Sequence, residues 1–326
     1  MYDIIIIGAG TAGISAYKEA IKHTQNILII NDGSWDTTCA RAGCMPSKIL
    51  ISTANRMHEI QQTEQLGLKV AATIDTFGVM PYLRQLRNRF TSATLKDVAS
   101  WNKEHKISGQ AQFIDSQTIV VNQTHYQAKS FIIAVGSTPN MNKKYQDELG
   151  DRYITSDQIF ELETLPHSLA VIGSGVIALE LAQAMQRLNV KTTVFARSKK
   201  VGSLTSSYLQ TLAQQELSKE LNFKFEILPT TVKADKNKVV ITFNEHGQEQ
   251  SIEVDYLLSA TGRSSHLDTL HLEQIESTFK DLKQLPVNMQ TKQLGKYPIF
   301  IIGDAYTTTP IQHEAAHEGR EVIDNC

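Results

Sequence analysis

The sequence predicts an α/β fold in which one strand–turn–helix–strand pattern occurs twice. The first copy begins with the apolar strand Ile4 to Ile7, continues through a glycine-rich turn and a helical pattern, and ends with a strand at Ile27 to Ile30. The second copy begins with a strand at Leu169 to Ile172 and ends with a strand at Lys191 to Phe195. Short apolar strands that alternate with helical patterns are typical of parallel sheets.

Each copy carries a glycine-rich turn directly after its first strand. The turns are Gly8-Ala9-Gly10-Thr11-Ala12-Gly13 and Gly173-Ser174-Gly175-Val176-Ile177-Ala178. In this pattern the first glycine makes a tight turn, the second lets the backbone approach a pyrophosphate, and the third position controls how closely helix and strand pack. The N–H groups at the start of the following helix then bind phosphate. Two such turns in the correct context predict two Rossmann-like nucleotide-binding domains.

The length of the chain agrees with more than one domain. A chain of 326 residues is longer than a single hydrophobic core usually supports. We assign residues 1–145 to the first part of one nucleotide-binding domain and residues 146–265 to the second domain. Residues 266–326 are expected to return to the first domain or to a central domain.

The residues after the second strand of each copy indicate which nucleotide is bound, because an acidic residue usually binds the adenosine ribose there. The first copy has Asn31 and Asp32 at this place, and either can hydrogen-bond a ribose hydroxyl or simply form a turn. The second copy lacks the acid and has Arg197, Lys199 and Lys200. These cations favour the 2′-phosphate of NADP over NAD, and a solvated basic turn is the alternative.

The composition excludes several classes of function. A hydrophobic fraction of 41% and a charged fraction of 20% are ordinary for a soluble globular protein, and a net charge of -2 gives no reason to expect nucleic acid or an acidic membrane as partner. The run Ile4 to Ile7 is too short for a signal peptide, and no stretch approaches the roughly 20 apolar residues of a membrane span. We therefore expect a cytoplasmic protein.

Two of the three cysteines lie close together, at Cys39 and Cys44, whereas Cys326 is a terminal thiol without an expected role. In a reducing compartment a close pair is more often catalytic or metal-binding than structural. On a regular helix their Cα atoms would be roughly 8–9 Å apart, which exceeds the range of about 4.4–6.8 Å for a disulfide. The segment from Cys39 to Gly43 is therefore expected to be irregular, and Pro46 suits the first turn of a following helix. A zinc site would need two further ligands, and none is evident.

The decapeptide that contains this pair resembles the class I pyridine nucleotide–disulfide oxidoreductases, which include dihydrolipoamide dehydrogenase, mercuric reductase and glutathione reductase. Their pattern T-C-x-x-x-G-C-x-P-S-K is matched from Thr38 to Lys48, and Ser47 resembles the first two branches more than the third. Later stretches of the family are matched by Ala134 to Pro139, Ala260 to Arg263, Gly303-Asp304 and the helix start at Gln312-His313-Glu314.

The resemblance implies FAD and either NADP or NAD as cofactors, and it assigns no metal. The FAD contacts that it implies are Gly8, Gly10, Gly13, Asn31, Asp32, Thr38, Lys48, Ala111, Gly136, Gly303, Asp304 and Gln312. The NAD(P) contacts that it implies are Gly173, Gly175, Ala178, Glu180, Arg197 and Gly262. Asp304 would hold the ribitol chain, the backbone of Ala111 the adenine edge, and the helix terminus at Gln312 the flavin ring. Lys48 would lie beside the flavin N5, buried with Glu180 as its partner.

The resemblance also implies a reaction with Cys39, Cys44, Lys48 and Glu180 as its catalytic set. NAD(P)H would reduce the flavin, the reduced flavin would open the Cys39–Cys44 disulfide, and Cys39 would exchange with a small-molecule or lipoyl disulfide while Cys44 remains next to the flavin. Dihydrolipoamide dehydrogenase-like activity is the first expectation, and an NADPH-dependent mercuric or other small-disulfide reductase is the alternative. A redox-silent flavin-binding scaffold is the alternative from another class, and it would not need the cysteines and Lys48 in register.

Three features depart from the family pattern. Asn31 replaces the usual ribose-binding Glu, and Arg41 stands where Asn is common. The sequence stops at Cys326, whereas family members continue into an interface domain that forms a homodimer. We therefore expect a chain without the C-terminal interface domain, which binds FAD but turns over a disulfide poorly.

Overall fold

The computed structural model describes residues 1–307 and 310–326, and the chain divides into two compact units. Unit 1 comprises Met1–Arg41, Arg89–Thr138 and Ser264–Cys326. Unit 2 comprises Ala42–Asn88 and Pro139–Arg263. The chain thus passes between the units four times, and each unit is assembled from segments that are distant in sequence.

The fold is a mixed α/β fold with parallel sheets. Its helices within the described residues are α1 (Thr11–Ala20), α2 (Thr38–Ala42), α3 (Cys44–Gln62), α4 (Val79–Ala99), α5 (Lys143–Leu149), α6 (Val176–Arg187), α7 (Ser207–Glu220) and α8 (Gln312–Glu321). Its strands there are β1 (Tyr2–Ile7), β2 (Ile27–Asn31), β3 (Lys106–Ser108), β4 (Gln112–Phe113), β5 (Thr118–Val121), β6 (Thr124–Ile133), β7 (Ser137–Pro139), β8 (Tyr153–Thr155), β9 (Ser168–Ile172), β10 (Lys191–Ala196), β11 (Asn222–Phe225), β12 (Thr231–Asp235), β13 (Lys238–Glu245), β14 (Gln248–Val254), β15 (Tyr256–Ser259), β16 (Arg263–Ser265) and β17 (Ile299–Ile301).

The sheet of unit 1 has a parallel part in the order β3-β2-β1-β6-β17. The beginning of β6 also pairs antiparallel with β5, which pairs with β4. Successive residues of β1 alternate between two hydrophobic clusters, with Ile5 and Ile7 in one and Ile4 and Ile6 in the other. Both faces of this sheet are therefore covered, which explains why its strands read as continuous apolar runs.

Helices α1 and α8 pack closely in unit 1 because small residues meet where they cross. A Cβ atom on Gly319 of α8 would lie 2.3 Å from the carbonyl oxygen of Ala12 and 2.9 Å from the Cβ of Ser15, both on α1. Gly303, which follows β17, has a φ of +65°, and a Cβ there would lie 2.9 Å from the Cβ of Ala12. The packing around Ala12 thus requires glycine at both positions.

Unit 2 contains a five-stranded parallel sheet in the order β11-β10-β9-β15-β8 and an antiparallel three-stranded sheet, β12-β13-β14. Alternate residues of β9 again enter different clusters: Leu169 and Val171 pack with α6, and Ala170 and Ile172 pack towards the antiparallel sheet. The sheet is therefore covered by helices on one face and by β-structure on the other.

Most predicted elements are present with shifted ends, and three differences have clear causes. The sequence predicts one strand from Lys106 to Phe113, but the structure has two, because Gly109 interrupts the segment with a φ of +155°. The sequence also predicts a helix from Pro81 to about Lys103, whereas the helix runs from Val79 to Ala99 and is followed by a separate 3-10 turn. Helix α7 was not predicted, since it has no buried residue and so gives no apolar stripe.

Among the residues that the structure describes, no helix is both long and apolar enough to cross a membrane.

We predict that Gly319→Ala lowers the free energy of unfolding of the apoprotein by about 1–3 kcal/mol, because the added methyl group must push α8 away from the backbone of α1. Urea denaturation followed by circular dichroism measures this change. Gly33→Ala is the matched control: a Cβ there meets no atom within 4 Å, so the expected change is within about 0.5 kcal/mol. Equal stability of both variants would contradict the packing described for α1 and α8.

Candidate functional site

The first glycine turn is fixed by contacts with the end of β6. Gly8 has a φ of +106°, and a Cβ on it would lie 2.3 Å from the carbonyl oxygen of Ala134. A Cβ on Gly13 would lie 1.9 Å from the carbonyl oxygen of Gly8. Gly10 is the N-cap of α1 and has no such close neighbour. The first and third glycines are therefore required by the fold itself, and the second leaves space in front of the helix.

The second glycine turn repeats this geometry in unit 2. Gly173 has a φ of +127°, and a Cβ on it would lie 2.2 Å from the carbonyl oxygen of Ala260, which follows β15. Gly175 is the N-cap of α6, and a Cβ there would meet nothing within 4 Å. Ala178 is fully buried. Helix α6 therefore stands far enough from β9 to accommodate a methyl group at the third position.

Both helix starts suit a nucleotide pyrophosphate. Helices α1 and α6 each begin after a glycine N-cap without a side-chain cap, and neither has an acidic residue in its first turn. The positive end of the helix dipole and the first N–H groups are therefore not countered by a local carboxylate. The residues present at both turns fit dinucleotide binding, with space at Gly10 and Gly175 for close approach of a phosphate.

The side chain of Asn31, at the end of β2, forms hydrogen bonds with the loop that follows this strand and with the first glycine turn. Its Oδ1 accepts a hydrogen bond from the N–H of Ala9 at 2.9 Å, and its Nδ2 donates to the carbonyl oxygens of Gly33 and Ser34 at 3.0 Å each. The side chain thus ties this loop to the first glycine turn. Asp32 is exposed beside it, so its carboxylate is accessible.

Four other positions assigned to FAD lie in unit 1. Ala111 is buried, Gly136 has a φ of +68°, and its carbonyl oxygen accepts a hydrogen bond from the N–H of His266 at 3.2 Å. Asp304 is half-buried in the 3-10 turn after β17. Gln312 is exposed and is the first residue of α8, as the sequence indicated.

The cysteine segment consists of two helices separated by one residue. Cys39 lies in α2, and Cys44 is the first residue of α3; both are half-buried. Gly43 stands between the helices with φ and ψ of -119° each. The expectation of an irregular segment from Cys39 to Gly43 is therefore wrong for Cys39 to Ala42, which form a helical turn, and the break is confined to Gly43. The break occurs there because glycine tolerates this conformation.

Arg41, the unusual residue of the cysteine segment, has an ion-pair partner. Its Nη1 lies 2.5 Å from Oδ1 of Asp36, which is buried. Thr37 adopts a φ of 63° between them, and it accepts hydrogen bonds from the N–H groups of Ala40 and Arg41. The pair thus encloses the backbone turn that leads into Cys39. No sequence pattern signalled Asp36 for this contact, because a pair at i and i+5 has no helical periodicity.

The ion pair expected between Lys48 and Glu180 is present in unit 2. The Nζ of Lys48, on the second turn of α3, lies 2.6 Å from Oε1 of Glu180 on α6. Their side chains are 57% and 33% exposed within the protein itself, and the expected burial of the pair beside the flavin stays a prediction. Helices α3 and α6 pack through Leu50, Ala54 and Leu181, which leaves Lys48 at the rim of that contact.

A polar network holds the middle of α3. The guanidinium of Arg187 on α6 binds both carboxylate oxygens of Glu220 on α7 at 2.8 and 2.9 Å, and it donates to Oδ1 of Asn55 on α3 at 2.6 Å. Arg187 lowers the pKa of the Glu220 carboxyl below its ordinary value, mainly through these hydrogen bonds. Helix α3 is thus fixed by charged contacts at both ends of its interface with α6.

The basic turn after β10 lies against the second glycine turn. The Oγ of Ser174 donates to the carbonyl oxygen of Lys200 at 2.6 Å, and the N–H of Gly202 donates to the carbonyl oxygen of Ser174 at 2.7 Å. All three cations of this turn are exposed, namely Arg197, Lys199 and Lys200. The Nζ of Lys199 lies 3.5 Å from Oε2 of Glu226. Gly262 has a φ of +119°. The backbone of the basic turn is therefore bound to the second glycine turn, and its cationic side chains are exposed.

Comparison with known proteins identifies the family. Residues 2–319 match the family model described as pyridine nucleotide-disulphide oxidoreductase. The chain is 29% identical to dihydrolipoyl dehydrogenase of Staphylococcus aureus over 99% of the chain and 70% of that protein. It is also 29% identical to mercuric reductase of Lysinibacillus sphaericus, over 100% of the chain and 60% of that protein.

Solved structures show the same fold. LpdA from Mycobacterium tuberculosis superposes with a TM-score of 0.80 at 20% identity and covers 100% of this chain and 72% of that one. The flavoprotein disulfide reductase RclA from Escherichia coli gives a TM-score of 0.78 at 19% identity and covers 99% of this chain and 70% of that one. The chain therefore belongs to the pyridine nucleotide-disulphide oxidoreductases, flavoenzymes that use FAD and NAD(P)H.

Proposed function

We propose that this chain transfers electrons between NAD(P)H and a small disulfide substrate through FAD and a Cys39–Cys44 disulfide, with dihydrolipoamide dehydrogenase-like activity. One observation in unit 2 carries the proposal. Cys44 begins α3, Lys48 follows one turn later, and Lys48 pairs with Glu180 on the helix that starts at the second glycine turn. Cys44 and Lys48 thus lie on one helix of unit 2, and Lys48 binds a carboxylate of the helix that begins at the turn that suits a nicotinamide nucleotide.

The position of Cys44 favours its thiolate form. The first residue of a helix lies at the positive end of the helix dipole, which stabilises a negative charge on sulfur. Helix α3 has no acidic residue in its first turn, and the ammonium group of Lys48 adds a positive charge one turn on. These groups suit Cys44 to remain as a thiolate while Cys39 carries out exchange.

The proposed exchange balances with two electrons and two protons. FAD and a nicotinamide nucleotide, held at the two glycine turns, would supply the electron pair that reduces the Cys39–Cys44 disulfide. The Cys39 thiolate then attacks the substrate disulfide, which forms a mixed disulfide and releases one substrate thiol after protonation. Cys44 attacks the sulfur of Cys39, which releases the second substrate thiol and restores the disulfide. A lipoyl group fits this scheme because both of its sulfurs stay on one molecule.

An NADPH-dependent mercuric or other small-disulfide reductase is the second candidate. The exposed cations beside the second glycine turn favour it, because Arg197 and Lys200 can pair with a 2′-phosphate. A redox-silent flavin-binding scaffold is the candidate from another class. It would leave the ion pair of Lys48 and Glu180 without a purpose, since an exposed pair contributes only about 0–1 kcal/mol to stability.

We predict that anaerobic titration of the FAD-loaded protein with NADH or NADPH takes up electrons beyond those that flavin alone accepts and produces a long-wavelength thiolate-to-flavin absorbance band. Cys44→Ser should abolish the band because the thiolate donor is absent, and Cys39→Ser should retain it without any prior reduction. Visible absorbance spectra measure both results. Direct bleaching of the flavin in the wild-type protein, without such a band, would support the scaffold instead.

We predict that Arg197→Glu raises the KM for NADPH about tenfold or more, the size expected when a charged hydrogen bond is lost, and changes the KM for NADH less than about twofold. Initial rates of flavin reduction at varied nucleotide concentration measure the difference. Lys191→Glu, at the opposite end of the same strand β10, is the control for a general effect of charge. Equal changes for both nucleotides would assign the basic turn to solvent rather than to a phosphate.

We predict that Arg41→Gln slows alkylation of the reduced Cys39 thiol by iodoacetamide at neutral pH severalfold, because Asp36, three residues before Cys39, then loses the positive charge that balances it and disfavours the thiolate. Arg41→Lys keeps the positive charge and should react at nearly the wild-type rate. A Cys44→Ser background confines the measurement to Cys39 at this site. Faster alkylation of Arg41→Gln would show that Arg41 shields Cys39 rather than activates it.

A further inference from the structure

A buried ion pair lies beside the Gly303–Asp304 turn, and none of the site assignments above includes it. The Nζ of Lys292 lies 2.8 Å from Oε1 of Glu318, and the two side chains are only 14% and 11% exposed. Lys292 precedes β17 and Glu318 belongs to α8, so both residues are part of unit 1. Removing such charges from water costs free energy unless they are fully paired. A pair at this place therefore suggests a role beyond stability.

The second oxygen of Glu318 holds the backbone of the turn. The N–H of Gly303 donates to Oε2 of Glu318 at 2.6 Å. Gly303 cannot be replaced, because its φ is +65° and a Cβ would lie 2.9 Å from that of Ala12. The carboxylate therefore bridges a cation and a backbone N–H in a turn whose conformation is already restricted to glycine. Asp304 is the next residue, so the direction of its side chain depends on this peptide.

Lys292 is itself fixed to the strand that leads into the turn. It has a φ of 65°, its N–H donates to the carbonyl oxygen of Asn288 at 2.7 Å, and its carbonyl oxygen accepts the N–H of Ile301 at 2.9 Å. Ile301 is the last residue of β17 and lies two residues before Gly303. Lysine in the left-handed region is unfavourable, so the surrounding structure must hold it there. This fixed backbone thus places the ammonium group of Lys292 next to Glu318.

From this geometry we infer that Lys292 and Glu318 are positioning residues for FAD. They hold the Gly303–Asp304 turn so that Asp304 meets the ribitol hydroxyls, and Lys292 neutralises Glu318 so that Asp304 does not have an uncompensated carboxylate next to it. The inference rests on the proposed placement of FAD at the first glycine turn and Asp304. Neither residue is expected to touch the flavin, because Glu318 acts through the N–H of Gly303 and Lys292 acts through Glu318.

The test is the affinity of the apoprotein for FAD, measured by the change in flavin fluorescence on binding. Lys292→Met should weaken FAD binding at least about tenfold, the fold-change that corresponds to the loss of a charged contact. Lys292→Arg should restore most of the affinity. Lys283→Met is the matched control, because Lys283 is exposed in the same stretch of chain, and it should bind FAD as the wild-type protein does.

A double variant separates positioning from a general loss of stability. In Lys292→Met combined with Glu318→Gln, the uncompensated charge is gone and the amide oxygen can still accept the N–H of Gly303. This double variant should therefore bind FAD more tightly than Lys292→Met alone. If each substitution only lowered the stability of the protein, the two losses of FAD affinity would add instead. The inference is overturned if Lys292→Met binds FAD like the wild type or if the double variant binds more weakly than Lys292→Met.

The variant Asp304→Ala separates the proposed placement of FAD from the positioning role of the ion pair. If this variant and Lys292→Met both bind FAD weakly, the placement of FAD and the positioning role are both supported. If Asp304→Ala is weak and Lys292→Met is not, the ion pair has no positioning role. If Asp304→Ala retains full affinity, FAD does not use this turn, and the proposed placement fails together with the inference that rests on it.

Discussion

The close approach between the first glycine of each turn and a carbonyl oxygen at the end of a neighbouring strand is the constraint on which both units depend. Gly8 lies against Ala134 in unit 1, and Gly173 lies against Ala260 in unit 2. Any side chain would collide with backbone that is itself held by the sheet. The turn therefore stays tight, and each following helix begins directly at the carboxyl edge of its sheet, where its N–H groups face outward.

In unit 1 further close contacts between small residues surround Ala12. Gly303 and Gly319 both approach it, so the turn that carries Asp304 and the helix that begins at Gln312 are placed relative to the first glycine turn. Backbone contacts of this kind are rigid because no rotamer can relieve them. Positions that the family resemblance assigns to FAD are thus set by one packing centre, and Lys292 and Glu318 add an electrostatic contribution at its edge.

In unit 2 charged side chains, rather than small residues, fix the position of α3 against α6. Arg187 binds Glu220 and Asn55 at one end of the contact between α3 and α6, and Lys48 binds Glu180 at the other. The exposed pair of Lys48 and Glu180 contributes little stability. The pair places an ammonium group one helical turn from Cys44, where the proposed thiol reaction would use it.

The sequence by itself determined the two glycine turns, the strands beside them and the helix that begins near Cys44, because these features follow from local patterns. The pairing of Lys48 with Glu180 was implied by the family resemblance alone, since no local pattern relates two residues so far apart in the chain. Only the tertiary structure decided the engagement of Asn31 by Ala9, the contact of Arg41 with Asp36, the exposure of Lys48 and the burial of Lys292 with Glu318. These contacts join residues without a periodic relation, and their burial depends on which segments the sheet brings together.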